Sequence, residues 1–362
     1  MTEFDVIICG AGPAGCATAL ALLNEGVERV AIIDKPKPQR FKIGESAAPD
    51  VTAKLRRLGF EINLKNRGHA PYHGNISYWA EQKNHTDFLL HGRGQAWHLN
   101  RNCFDQDLAD HAQKLGAHLL LETTLNRFIH DGNLWCLNLT QNDHQYTLKG
   151  KYLVDASGRR SLIARKLNAQ RKQLDTLTAI AFKTQNVLSL KGRTLVESFS
   201  DGWWYASQLP TGEGLITLMT DADQIRKHQW QDLARLLKEL QKTELIKEYF
   251  SVDTVNNVST QTYAAQAGFL TQAAGPGWIA IGDALASFDP LTSSGISNAL
   301  GDALAAVPTI IGWLNNQDLA PAEKYAVRAD SGIQRYLQES RWYYGLEKRW
   351  QDNEFWQRRQ SQ

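Results

Sequence analysis

A chain of 362 residues can hold about two domains around sizeable cores. Its 40 Lys and Arg against 38 Asp and Glu leave a formal charge of +2 with no basic block, which argues against a nucleic-acid partner. Cys9, Cys16, Cys103 and Cys136 lack disulfide or metal-ligand spacing, and no apolar run nears the roughly 20 residues that span a bilayer. The expectation is a cytoplasmic protein with no metal and no membrane partner, since no signal peptide precedes the first strand.

That strand is Val6 to Cys9, an apolar run closing on Gly10-Ala11-Gly12-Pro13-Ala14-Gly15. Gly10 permits the tight turn, Gly12 lets backbone approach a pyrophosphate, and Gly15 lets the following helix, Ala14 to Leu23, pack close. The helix N-terminus, with Pro13 and Ala14, points free N–H groups at phosphates. A second strand, Arg29 to Ile33, ends in Asp34, about where a ribose-binding carboxylate belongs, with Lys35 beside it. A dinucleotide site is expected here.

After a loop over Pro36 to Arg40 comes Phe41-Lys42-Ile43-Gly44-Glu45-Ser46, then Asp50 as cap of a helix over Val51 to Leu58. Alternating segments from Asn75 to Leu90 read as a first excursion into a second domain. Asn100 to Asp105 opens a helix with Phe104, Leu108, Ala112 and Leu115 on one face, closed by Gly116. Leu119 to Leu121, Leu134 to Leu139 and Tyr152 to Val154 read as strands, the last running into Asp155-Ala156-Ser157-Gly158. Strand-like runs at 177–183, 194–199, 203–209 and 215–220 suggest an antiparallel sheet, followed by an amphipathic helix carrying Trp230, Leu233, Leu237 and Leu240. Trp278 to Ile281 ends in Gly282-Asp283, a loop follows, and a helix runs from Ser293 or Ser294 to Ile310. A helical tail from Ala322 is rich in Tyr and Trp. Eleven tryptophans read as packing, an aromatic pocket or a partner-binding face.

The glycine turn, Asp155-Ala156-Ser157-Gly158 and Ile281-Gly282-Asp283 together resemble the FAD-containing monooxygenases of the para-hydroxybenzoate hydroxylase fold, a group that includes geranylgeranyl reductases and flavin-dependent halogenases. The resemblance implies an α/β protein: a Rossmann-like FAD-binding domain (1–74, 98–165 and 265–315), a mostly antiparallel β-sheet substrate domain (75–97 and 166–264) and a helical C-terminal tail (316–362). It implies that Asp283 holds the ribityl chain, that Arg101 lies near the cofactor, and that Lys42 and Ser46 join the FAD site. Phe288 to Ile296 is similar to the D-P-x-x-S-S-G segment of the halogenase branch. Pro290, Ser294, Gly295 and Ile296 would then face the flavin, offering backbone N–H groups at a helix start. Phe41 to Ser46 resembles the G-E-S loop packed against the flavin, with Glu45 read either as a flavin-side residue or as a solvated carboxylate.

Two departures speak against halogenation. Tyr72 stands where phenol-type halogenases have a lysine, and no lysine lies between Lys65 and Lys83. The halogenase G-W-x-W-x-I-P signature reads Gly202-Trp203-Trp204-Tyr205 here, with the proline displaced to Pro210. The tail, Tyr344 to Trp350 and Phe355 to Arg359, resembles flavoproteins that modify a tryptophan in a partner amine oxidase or dehydrogenase during tryptophylquinone formation. The resemblance implies an FAD-dependent monooxygenase hydroxylating a tryptophan of a protein substrate, a quinone-cofactor amine oxidase or dehydrogenase precursor. Trp203 and Trp204 would line the pocket or form a core layer. Without a second nucleotide fold, NAD(P)H would reduce the FAD directly or through a flavin reductase. Alternatives are a small-molecule aromatic hydroxylase, a halogenase, an isoprenoid reductase and an FAD-containing maturation chaperone.

Overall fold

Val6, Ile7 and Ile8 are wholly buried because the strand that carries them, Glu3–Cys9, lies in the middle of a sheet covered on both faces. The computed structural model describes residues 3–36, 41–185, 187–250 and 259–360; most of the loop expected over 36–40 lies outside them. The first sheet runs in the order Ala274–Gly275, Trp278–Ala280, His144–Asp155, Glu3–Cys9, Val30–Ile33, His118–Leu120. The four pairings from Trp278–Ala280 to His118–Leu120 are parallel. Cys9 pairs with both Asp155 and Ile33, and Asp155 pairs with Ala280, so the carboxyl ends of four strands come level at one edge. An open α/β sheet places its ligand crevice there.

Two further strands, Thr123–His130 and Trp135–Gln141, extend His144–Asp155 in antiparallel fashion. Thr123–His130 escaped sequence reading because it is an edge strand, exposed along most of its length and without a clear apolar alternation.

A second sheet has the order Gln261–Ala264, Leu177–Thr184, Gly214–Asp221, Gly202–Gln208, Arg193–Phe199, Gly74–Trp79, Gln82–Asp87. It is antiparallel except where Arg193–Phe199 meets Gly74–Trp79. The period of two decides what each face packs against. Trp204 and Ala206 join Ile216, Leu218 and Phe182 beneath short helices. Trp203, Leu215 and Met219 face the other way, onto Tyr344, Phe355 and Trp356 of the tail.

Local differences from the sequence reading have physical causes. The stripe from Trp230 to Leu240 is broken: Gln229 is left-handed, Trp230 lies between helices, and Asp232 caps Leu233–Leu240 through the Arg235 N–H at 3.1 Å. Asp50 stands at the start of Val51–Arg57, but its carboxylate accepts from Lys54 and Ser297 instead of capping the turn. The helix expected to end at Ile310 runs from Gly295 to Asn316 through Pro308, because Ala306, Thr309 and Ile310 are all buried around the proline. The tail forms two helices, Ala320–Leu346 and Glu354–Gln360. Among the described residues no helix is long and apolar enough to cross a membrane, and no His, Cys, Asp and Glu cluster could hold a metal ion.

Candidate active site

A cavity of about 390 Å³ opens between the two sheets. Its floor on the first-sheet side is Gly12, Pro13 and Ala14, followed by Ala156, Gly158 and Arg159 from the turn after Asp155. The three glycines do different things. A Cβ on Gly10 would lie 2.2 Å from the Ala156 carbonyl oxygen, and one on Gly15 would lie 1.9 Å from the Gly10 oxygen. One on Gly12 would meet nothing within 4 Å. Gly10 and Gly15 therefore permit close backbone packing, and Gly12 leaves open space at the start of helix Pro13–Asn24.

Asp155 is wholly buried and structural. It accepts from Ser157 Oγ at 2.6 Å and from the Ile163 and Ala164 N–H groups at 2.8 and 2.9 Å, which holds the turn that lines the cavity. Burial raises its carboxyl above the ordinary value, against the pull of these bonds. Asp283 lines the cavity with Arg159, its ion-pair partner at 3.5 Å.

The loop 41–46 forms another wall, and Arg101 holds it. Its guanidinium donates to the Ile43 and Gly44 carbonyls, both at 3.0 Å, and pairs with Asp105 at 3.2 Å. Gly44 has a φ of +82°, and a Cβ there would crowd Arg101 at 3.2 Å. Asp105 also receives Lys42 at 2.8 Å; burial alone would raise its carboxyl, but Arg101 and Lys42 hold it below the usual range. Lys42 thus supports the wall from behind and does not line the cavity.

Glu45, 1% exposed, is the buried charge of this wall. It accepts from Tyr205 Oη at 2.5 Å and Ser207 Oγ at 2.6 Å, two side chains on one face of strand Gly202–Gln208. Ser46 Oγ lies 2.6 Å from Tyr205 Oη. Glu45, Ser46 and Tyr205 all line the cavity. Burial first, then the negative charge of Glu45, pushes the Tyr205 phenol well above its ordinary value, so it stays protonated and donates. The opposite end is closed by Pro290 and by Ser293 through Ile296, where the 22-residue helix Gly295–Asn316 begins.

Of the residues expected from sequence, Gly12, Pro13, Ala14, Glu45, Ser46, Arg101, Asp283, Pro290, Ser294, Gly295 and Ile296 line one cavity. Asp34 and Lys35 follow strand Val30–Ile33 outside that lining, and Lys35 is exposed. Trp203 and Trp204 do not line it. Both are fully buried, one in each core of the sheet, and the Trp203 indole donates to Tyr344 Oη at 3.0 Å. Tyr72 is also set apart: it stacks on His98 at 4.5 Å, and its hydroxyl meets Thr194 at 3.2 Å and Asn75. Sequence reasoning missed Tyr205, Ser207, Arg159 and Asp289. For Tyr205 and Ser207 the alternation along the strand was the available signal.

The arrangement fits an FAD. Open space above Gly12, a helix start and Arg159 serve a pyrophosphate, and the two-sheet cavity beyond serves a planar ring. Similar proteins agree. LodB of Marinomonas mediterranea, named for FAD-dependent oxidoreductase chemistry, is 26% identical over 365 residues, covering all of this chain and 98% of that protein. The tryptophan 2-halogenase of Chondromyces crocatus is 25% identical, covering 90% of this chain and 65% of its own length. Among solved structures, the peptidyl tryptophan dihydroxylase QhpG, described as essential for tryptophylquinone cofactor biogenesis, superposes with a TM-score of 0.78 at 26% identity, over 99% of this chain and 79% of that one. The flavin-dependent halogenase CmlS shares the fold, with a TM-score of 0.87 at 24% identity over 99% of this chain and 68% of that one. The model of the FAD binding domain matches residues 3–319, and with that span the chain belongs to the FAD-binding-domain family, as a flavin-dependent oxidoreductase.

Proposed function

We propose that this chain is an FAD-dependent monooxygenase that hydroxylates an electron-rich aromatic ring, a tryptophan side chain of a partner protein on its way to a tryptophylquinone. The partner is the precursor of a quinone-cofactor amine oxidase or dehydrogenase. The observation that carries the reading is Tyr72, buried against His98 at the position where the resemblance places a halogenase lysine, together with a cavity walled by Glu45, Ser46 and Tyr205. Likeness over nearly the whole chain to QhpG supports the choice of substrate, and likeness to LodB supports flavin-dependent oxidation.

When bound, FAD supplies the oxygen-activating chemistry, with reducing equivalents from NAD(P)H directly or through a flavin reductase. An indole ring is nucleophilic enough to take up an oxygen atom without a strong base, so the residues around it orient the ring and exclude water. A ring carbon that gains oxygen must then shed its proton. Ser46 Oγ at the cavity wall passes to Tyr205 Oη and on to Glu45, a line of hydroxyls ending on a buried carboxylate. The Glu45 charge is held in place by the Ser207 hydroxyl as well.

A halogenase reading draws on the Chondromyces crocatus relative. It needs an amine to capture the oxidised halide, and at the corresponding position Tyr72 is buried and engaged with Asn75, Thr194 and His98. Mass spectrometry of a candidate quinoprotein precursor, coexpressed with this chain in halide-containing medium, separates the readings. One tryptophan of the precursor gains the mass of one or two oxygen atoms if the proposal holds. Chlorine or bromine on that tryptophan, or unchanged precursors beside rapid turnover of free phenols or indoles, overturns it.

A further inference from the structure

The loop 288–296 lines the cavity through Phe288, Asp289, Pro290 and Ser293 to Ile296, yet its position is set from the far side by the C-terminal tail. Asp289 is buried at 4% exposure. One carboxylate oxygen accepts the Leu291 N–H at 2.9 Å, which forms the turn Pro290–Thr292. The other accepts the Tyr344 hydroxyl. Tyr344 Oη in turn accepts the Trp203 indole N–H at 3.0 Å. An indole is a donor only, so the tyrosine must accept from it and its single proton is left for Asp289; the direction of both bonds is fixed. Two turns earlier on the same tail helix, Tyr336 accepts the Asp289 backbone N–H at 3.2 Å and stacks on Phe288 with ring centroids 4.4 Å apart and planes at 16°.

We propose that the tail is part of the cofactor site: the Tyr344 hydroxyl, held between Trp203 and Asp289, and Tyr336 together position the loop 288–296 against bound FAD. The inference rests on membership of the FAD-binding family and not on the tryptophan substrate. Neither Tyr336 nor Tyr344 lines the cavity, so they are positioning residues acting through Asp289 and Phe288. The tail can transmit position because it is pinned elsewhere. Arg359, 5% exposed, pairs with Asp221 of the second sheet at 2.7 Å, and the Trp356 indole donates to the Phe199 carbonyl at 3.0 Å. Tyr344 thereby ties the second sheet, through Trp203, to the loop on the first-sheet side.

The test is FAD binding to apoprotein, followed by flavin fluorescence, together with visible circular dichroism of the bound flavin. Tyr344→Phe and Tyr336→Phe keep the rings and remove one hydroxyl each. Each should weaken FAD binding about threefold to tenfold and alter the visible dichroism. Trp342→Ala, on the same helix but 59% exposed, should leave both unchanged. If Tyr344→Phe does not fold, Tyr336→Phe decides alone. Wild-type affinity and dichroism in a folded tyrosine variant, or an equal loss in Trp342→Ala, overturns the proposal.

Discussion

At the scale of single residues, the glycines of the first turn separate packing from binding. Gly12 has φ −86° and an extended ψ of −177°, a conformation alanine adopts, and its missing Cβ faces open space in the cavity. Gly12→Ala should therefore fold with a stability change within about 1 kcal/mol while FAD affinity drops about tenfold or more. Gly15→Ala drives a methyl to 1.9 Å from the Gly10 carbonyl oxygen and should lose roughly 2–4 kcal/mol of stability. Thermal melts of the apoproteins and FAD titrations check the pair; a destabilised Gly12→Ala that binds FAD normally would reverse the assignment. The spacing made these positions legible because the three glycines fall within one short segment, with close backbone packing required at Gly10 and Gly15 and open space at Gly12. The Glu45, Tyr205 and Ser207 cluster was not legible as a unit. Its members are some 160 positions apart and meet only when strand Gly202–Gln208 is laid against the loop 41–46.

At the scale of elements, the tail helices depend on one buried anion. Glu347, at 0% exposure, accepts from Ser198 Oγ at 2.8 Å, from the Ala80 N–H at 3.0 Å and from Arg349 at 2.7 Å. Burial alone would raise its carboxyl, but Arg349 and the other donors bring it from the ordinary 4.5 down to about 2. A depressed carboxylate contributes stability that is present above its unfolded value and lost as pH falls toward the folded one. Glu347→Gln should thus cost roughly 2 kcal/mol at neutral pH, with the gap to wild type closing as pH falls from 4.5 to about 2. Chemical denaturation across that range, with the fluorescence of the tail tryptophans as signal, reads it; a gap independent of pH would reject the ion-pair account. Elements were read well where an apolar run follows a glycine turn, as for Pro13–Asn24 and Gly214–Asp221. They were misread where tertiary packing overrides local signals, as at the helix that continues past Ile310 to Asn316 and at Gln229 breaking another. Trp203 and Trp204 show the same limit: adjacent residues on a strand point to opposite faces, and both faces proved to be core.

At the scale of the whole molecule, the cavity belongs to neither sheet alone. Gly12, Gly158 and Asp283 come from the carboxyl edge of the parallel sheet, while Tyr205, Thr217, Met219 and Tyr263 come from the antiparallel one. A ligand that touches both walls stabilises both against opening, whereas one held by the first sheet alone leaves the second to fluctuate as in the apoprotein. At an FAD concentration about a hundredfold above its dissociation constant, the linkage is worth about 2.7 kcal/mol, or roughly a hundredfold slowing of exchange through global opening. Hydrogen exchange should show that slowing for amides of Gly202–Gln208 as well as for those of Glu3–Cys9. Slowing confined to Glu3–Cys9 would mean that the antiparallel wall does not share in holding FAD. The Ser46, Tyr205 and Glu45 line would then be an inter-sheet joint and not a wall of the reaction chamber, because its middle member stands on the strand that failed to respond.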